Sequence, residues 1–141
     1  MTHADIPIRW ARAEEAGAIA RLFLISSDGL AAYIWGQMEM PGLSLEEVGA
    51  ARYARRNTPF SFENCLVAAN ADGVLGMAHA FAMPPRESGE VETDPVLRPY
   101  SELEDAGSLY VSGLAVFEPH RGRGIGRARA CPRARSTWRA A

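Results

Sequence analysis

The 141-residue chain contains no lysine, so every one of its 15 basic side chains is an arginine. That absence excludes a Walker-type phosphate loop, whose lysine must reach the phosphates. Cysteine is scarce: Cys65 and Cys131 stand far apart, and histidine occurs only at His3, His79 and His120. No metal-ligand spacing arises from these residues, and both cysteines read as free thiols. No apolar run approaches the roughly 20 residues needed to cross a bilayer, and Met1 to Trp10 lacks the basic start and long apolar core of a signal peptide. A soluble, cytoplasmic protein with no membrane partner is the expectation. Acid is missing from one region only. All 17 acidic residues lie at or before Glu118, alongside 8 arginines, whereas Pro119 onward holds 7 arginines and no acid.

What is present suits a single folded domain. Apolar residues make up 48% of the chain, which argues against disorder, and the length is that of one hydrophobic core. Ile6 to Trp10 alternates as a short strand. Glu14 to about Ser26 places Ile19, Leu22 and Phe23 at helical spacing, with Glu14 and Glu15 at the end where the helix dipole favours acid. Leu30 to Met40, rich in aromatic residues and methionine, fits either a short helix or a loop, and is read as core filling or as a substrate-facing segment. Ser44-Leu45-Glu46-Glu47 matches a capping box and opens a helix expected to run to about Arg56. Asn64–Ala69 and Val74–Met83 form a hairpin about Asn70-Ala71-Asp72-Gly73. His79, inside the second of these strands, reads as a hydrogen-bonded structural residue. The long link from Pro84 to Gly107 carries Glu87, Glu90, Glu92, Asp94, Glu102, Glu104 and Asp105, either as a solvated charge run or as acid that attracts a cationic amine.

Ser108 to Phe117 is a β-branched and aromatic strand that feeds directly into His120-Arg-Gly-Arg-Gly-Ile-Gly126. The order of elements predicts an α+β (α/β layered) fold with a mostly antiparallel sheet flanked by helices. A helix opening after glycines leaves backbone N–H groups exposed to an anion. Gly122, Gly124 and Gly126 permit close approach, while Arg121, Arg123 and Arg127 add charged forks. Arginine at position 127 rules out the G-x-G-x-x-G dinucleotide spacing.

Leu114-Ala-Val-Phe-Glu-Pro-His-Arg-Gly-Arg-Gly-Ile-Gly126 resembles the signature of the GNAT superfamily of acetyltransferases, in which a strand ends in an Arg/Gln-x-x-Gly-x-Gly/Ala turn that opens a helix. Arg121, Gly124 and Gly126 match that pattern, and Ile8 to Phe23 is similar to the usual start of the family. The resemblance implies N-acetyl transfer from acetyl-CoA, as co-substrate, to an amine of a small molecule or protein. It implies that main-chain groups of Leu114, Ala115 and Val116 hold the pantetheine arm. Arg121, Gly122, Arg123, Gly124, Ile125 and Gly126 would hold the pyrophosphate. The catalytic base is left unassigned: Tyr110 stands where some members carry a glutamate, with Ser112 and Glu118 nearby.

The carboxy-terminal part departs from the family. Pro132 should end the helix near Ala130, since an interior proline costs about 3 kcal/mol. Residues 131–141 then form a basic tail outside a domain spanning 1–130, without the further strands usual in the family. So abrupt a change of composition is read as a truncation or an altered reading frame. Two alternatives follow. One is a catalytically silent remnant with part of the coenzyme site, self-associating, for example as a homodimer, through an open strand edge. The other is nucleic-acid binding by the arginine tail, which the acidic body opposes.

Overall fold

The computed structural model describes residues 6–86, 89 and 91–126. Four strands, β1 (Ile8–Trp10), β2 (Cys65–Asn70), β3 (Gly73–Ala82) and β4 (Leu109–Val116), form one sheet in that order with every neighbouring pair antiparallel. Four helices accompany them: α1 (Ala16–Ser26), α2 (Leu30–Gly36), α3 (Leu45–Tyr53) and α4 (Arg98–Glu102). The α+β layout expected from the element order is the one observed.

Local chemistry explains most boundaries. The Ser44 hydroxyl accepts from the Glu47 amide at 3.2 Å, and the Glu47 carboxylate accepts from the Ser44 amide at 3.2 Å, so the capping box starts α3. That helix ends at Tyr53, three residues before the expected Arg56. In the β2–β3 turn the Asp72 amide donates to the Asn70 side chain at 2.8 Å, closing the hairpin. Arg9 on β1 grips Glu15 with two 2.8 Å bonds, tying the first strand to the 3-10 turn Ala13–Glu15 that leads into α1. Hydrogen bonding to Arg9 holds the Glu15 carboxyl below its ordinary range.

The core forms where α1 lies on the sheet. Ile19, Ala20 and Leu22 of α1 are fully buried with Val67 of β2 and Met77 of β3, each large side chain stabilising by roughly 1.5–3 kcal/mol. Close approach of backbone is built into this layer. A Cβ at Gly49 of α3 would stand 2.4 Å from the Trp35 ring, and one at Gly113 of β4 would stand 3.1 Å from both Phe23 and Ser26 of α1. Trp35 is buried, so the core-filling reading holds for the indole of α2. A second, smaller cluster joins Ala68, Leu75 and Ile125, with Ile6, Ile8 and Val116 packed against it. No described helix is long and apolar enough to cross a membrane.

Candidate functional site

β4 is the last strand of the sheet among the described residues, so one of its edges pairs with β3 and the other faces outward. Leu114 is exposed on it, Ala115 is buried and Val116 is half-buried. At the carboxy-terminal end the Phe117 amide still donates to Leu75, at 2.9 Å, before a 3-10 turn over Glu118–His120 lifts the chain away. Arg121 reaches back and donates from Nε to the Val116 carbonyl at 2.8 Å, fixing the turn to the strand.

The hydrogen bonds that close this turn use the amides of His120 and Arg121. The turn over Arg121 and Gly122 closes onto Arg123, and among the described residues no turn or loop bond engages the amides of Gly122, Gly124, Ile125 and Gly126. Gly122 and Gly124 have φ of 80° and 77°, in the left-handed region, and a helical backbone starts at Ile125. Ile125 is buried against Ala68 and Leu75, so its side chain pins the segment while its amide stays available. Gly122, Arg123 and Gly124 are exposed, and space around Gly122 is open: a Cβ there would meet nothing within 4 Å. Amides left without an acceptor beside such glycines are donors of the kind that binds a diphosphate. Arg127, the expected end of the helix near Ala130, Cys131 and the 131–141 tail lie outside the described residues.

The other end of β4 borders a cleft of about 470 Å³. Phe81 of β3 and Tyr110 of β4 are register partners whose rings meet at 5.5 Å, and Phe60 lies 5.4 Å from Phe81. Leu30 and Ile34 of α2 close one side. Part of α2 therefore faces this cleft, while its Trp35 fills the core. The remaining rim comes from the Pro84–Gly107 link, with Arg86, Glu92, Tyr100, Ser101 and Glu104. Arg86 bonds the carbonyl and hydroxyl of Ser101, and lies 3.6 Å from Glu104.

Between these two ends the β3–β4 register slips. His79 faces Gly113 and Ala80 faces Val111, so Ser112 has no opposite residue and forms a bulge. The His79 ring is fully buried beneath it. Its Nε2 donates to the Pro59 carbonyl at 2.8 Å, and its Nδ1 accepts from the Ser112 hydroxyl. Burial lowers the His79 pKa to about 4, so the ring stays neutral with both nitrogens occupied. That is a structural histidine, and it also commits Ser112 to the fold. Tyr110 lines the cleft, but burial, with Glu104 and Tyr100 nearby, raises its phenol above the ordinary range, so it is a poor proton acceptor. Glu118 is exposed in the 3-10 turn at the opposite end of the strand. The carboxylates that do reach the cleft, Glu92 and Glu104, belong to the acidic link. Sequence could mark that run only as a whole, because its fold back over β3 and β4 is a long-range event.

No protein-family model and no curated protein matches the chain. Among solved structures, an acetyltransferase aligns over 86% of this chain and 69% of its own, at 24% identity and a TM-score of 0.55. An N-acetyltransferase from Staphylococcus aureus Mu50 aligns over 92% of this chain and 75% of its own, at 20% identity and a TM-score of 0.59. The chain therefore shares its fold with these two acetyltransferases.

Proposed function

We propose that the chain transfers the acetyl group of acetyl-CoA to a primary amine. The observation that carries this reading is the placement of two complementary sites on one strand. Free amides of a glycine turn follow Val116, and an apolar cleft with acidic side chains begins at Tyr110. From Tyr110 to Val116 an extended strand spans roughly 20 Å at about 3.3 Å per residue. The outer edge of β4 is thus a rail between an anion cradle and a pocket.

On this reading the amides from Gly122 to Gly126 and the guanidinium groups of Arg121 and Arg123 hold the pyrophosphate. Leu114 and Val116 offer outward main-chain groups to the pantetheine arm, whereas Ala115, in step with the Phe117 amide that bonds Leu75, pairs with Met77 of β3. An acetyl thioester bound there supplies an activated acyl group: a C–N bond to the amine replaces the C–S bond, and the proton lost by nitrogen balances the one gained by sulfur. The protein's contribution is chiefly positioning, which can lower the barrier by several kcal/mol. Phe81, Tyr110 and Phe60 give the cleft an apolar floor, and Ser112, tied to His79, fixes the bulge between the two sites.

Isothermal titration with acetyl-CoA, followed by an assay of thiol release with a panel of amines, tests the proposal. Saturable binding and amine-dependent release are expected. Absence of binding at saturating acetyl-CoA would remove its basis.

A further inference from the structure

The cleft at the amino-terminal end of β4 has a definite chemistry. Its floor is a run of rings, with Phe60, Phe81 and Tyr110 separated by 5.4 and 5.5 Å, and Leu30 and Ile34 supply an aliphatic wall. Aromatic faces at such spacing accommodate a further ring in tilted or offset packing. At about 470 Å³ the cleft has the size of a small-molecule site.

Charge at the rim is unevenly matched. Arg86 is the cation of the lining, and it is engaged by Ser101 and Glu104. Glu92 is the second carboxylate of the lining. It accepts a hydrogen bond from the Asp94 amide at 3.0 Å but has no cationic partner among the described residues. Among the described residues the lining therefore presents one carboxylate without a cationic partner, Glu92, beside an aromatic floor. A polyamine would need several separated acids, and an α-amino acid would need an uncommitted guanidinium for its carboxylate.

We infer that the acceptor is a primary amine that carries a single positive charge and an aromatic group, with the ring on Phe81 and Tyr110 and the ammonium toward Glu92. This inference rests on the acetyl-transfer reading for the word acceptor, while the binding preference stands on the cleft alone. The full-length chain is titrated separately with 2-phenylethylamine, 3-phenylpropionate, spermidine and L-lysine, and in parallel with acetyl-CoA. The aromatic monocation should bind at least about tenfold more tightly than the other three. Glu92→Gln should weaken 2-phenylethylamine binding by about the same factor and leave 3-phenylpropionate no weaker.

The outcomes separate the two proposals. Acetyl-CoA binding with spermidine or L-lysine equal to or better than 2-phenylethylamine overturns the substrate class and spares the transferase reading. Selective binding of 2-phenylethylamine without acetyl-CoA binding supports the cleft preference and overturns the transferase reading. Equal binding of phenylpropionate and phenylethylamine overturns the role of Glu92. The comparisons on the unaltered chain stand even if a variant fails to fold.

Discussion

His79 and Ser112 are joined by a hydrogen bond across β3 and β4 at the residue where their register slips. The relationship is informative because each partner is explained by the other. A bulge leaves one residue of a strand unpaired, and here the unpaired residue turns its hydroxyl onto a buried ring instead of leaving it unsatisfied. The far side of the ring is held by Pro59, so one imidazole clamps the loop before β2 to the strand proposed to carry the donor.

Stability should therefore depend on pH through His79. Burial holds the folded-state pKa at about 4, against an ordinary 6.5. Between those values the unfolded chain binds a proton that the folded chain refuses. The contribution is thus complete above pH 6.5 and is lost as pH falls toward 4, to a limit of about 3 kcal/mol at roughly 1.4 kcal/mol per pH unit. Denaturant unfolding across that range checks this. His79→Leu should lose about 2–4 kcal/mol near neutral pH by stranding the Pro59 carbonyl and the Ser112 hydroxyl. It should also flatten the acid limb, and an unchanged limb in the variant would assign the pH dependence to other groups.

A second prediction concerns the approach of α3 to α2. Gly49→Ala places its methyl 2.4 Å from the Trp35 ring and 2.9 Å from Ala20, both buried, so a neighbour must shift to admit it. A loss of about 1–3 kcal/mol is expected from this overpacking. Gly17→Ala in α1 is the matched control, since nothing lies within 4 Å of the added carbon. Alanine there should be neutral or add up to about 1 kcal/mol through helix propensity. Equal midpoints for the two variants would refute the packing account.

Tyr53 yields the opposite sign. It is 1% exposed, its ring packs edge-on against Phe23 and His79, and its hydroxyl has no hydrogen-bond partner among the described residues. Burial drives the phenol far above its ordinary range. Tyr53→Phe removes an unsatisfied polar atom and keeps the ring, so stability should hold or rise by about 1 kcal/mol, read from thermal or denaturant unfolding. A clear loss would mean that the hydroxyl has a partner after all.

These cases mark the limit of what could be read along the chain. Ser44 with Glu47, and Asn70 to Gly73, declare a helix start and a turn because the chemistry is confined to three or four residues. The strand ending at Val116 and the glycine turn were legible for the same reason: apolar β-branched residues run directly into glycine and arginine. The cleft was not. Phe60, Phe81 and Tyr110 are each unremarkable in sequence, and they meet only because β3 pairs with β4 and the loop before β2 folds under both. The bulge at Ser112 was equally hidden, as nothing local distinguishes an unpaired residue from a paired one. Gly113 next to it makes a close approach to Phe23 and Ser26 of α1, a contact between distant parts of the chain.

The glycine turn offers the sharpest test of the proposed donor site. Gly122 and Gly124 adopt φ of 80° and 77°, which an L side chain reaches at a cost of about 1–2 kcal/mol, and both face solvent. Gly124→Val should lower stability by an amount of that order while intruding on any anion held by the neighbouring amides. The discriminating measurement uses two ligands. Affinity for acetyl-CoA should fall by at least about tenfold, while S-acetylpantetheine, which shares the arm and thioester but lacks the pyrophosphate, should bind as it does to the unaltered chain. A structural defect alone would weaken both ligands together. If both lose affinity in parallel, the turn supports the fold of β4 and does not grip the phosphates. If only acetyl-CoA suffers, the amides from Gly122 to Gly126 are its diphosphate site.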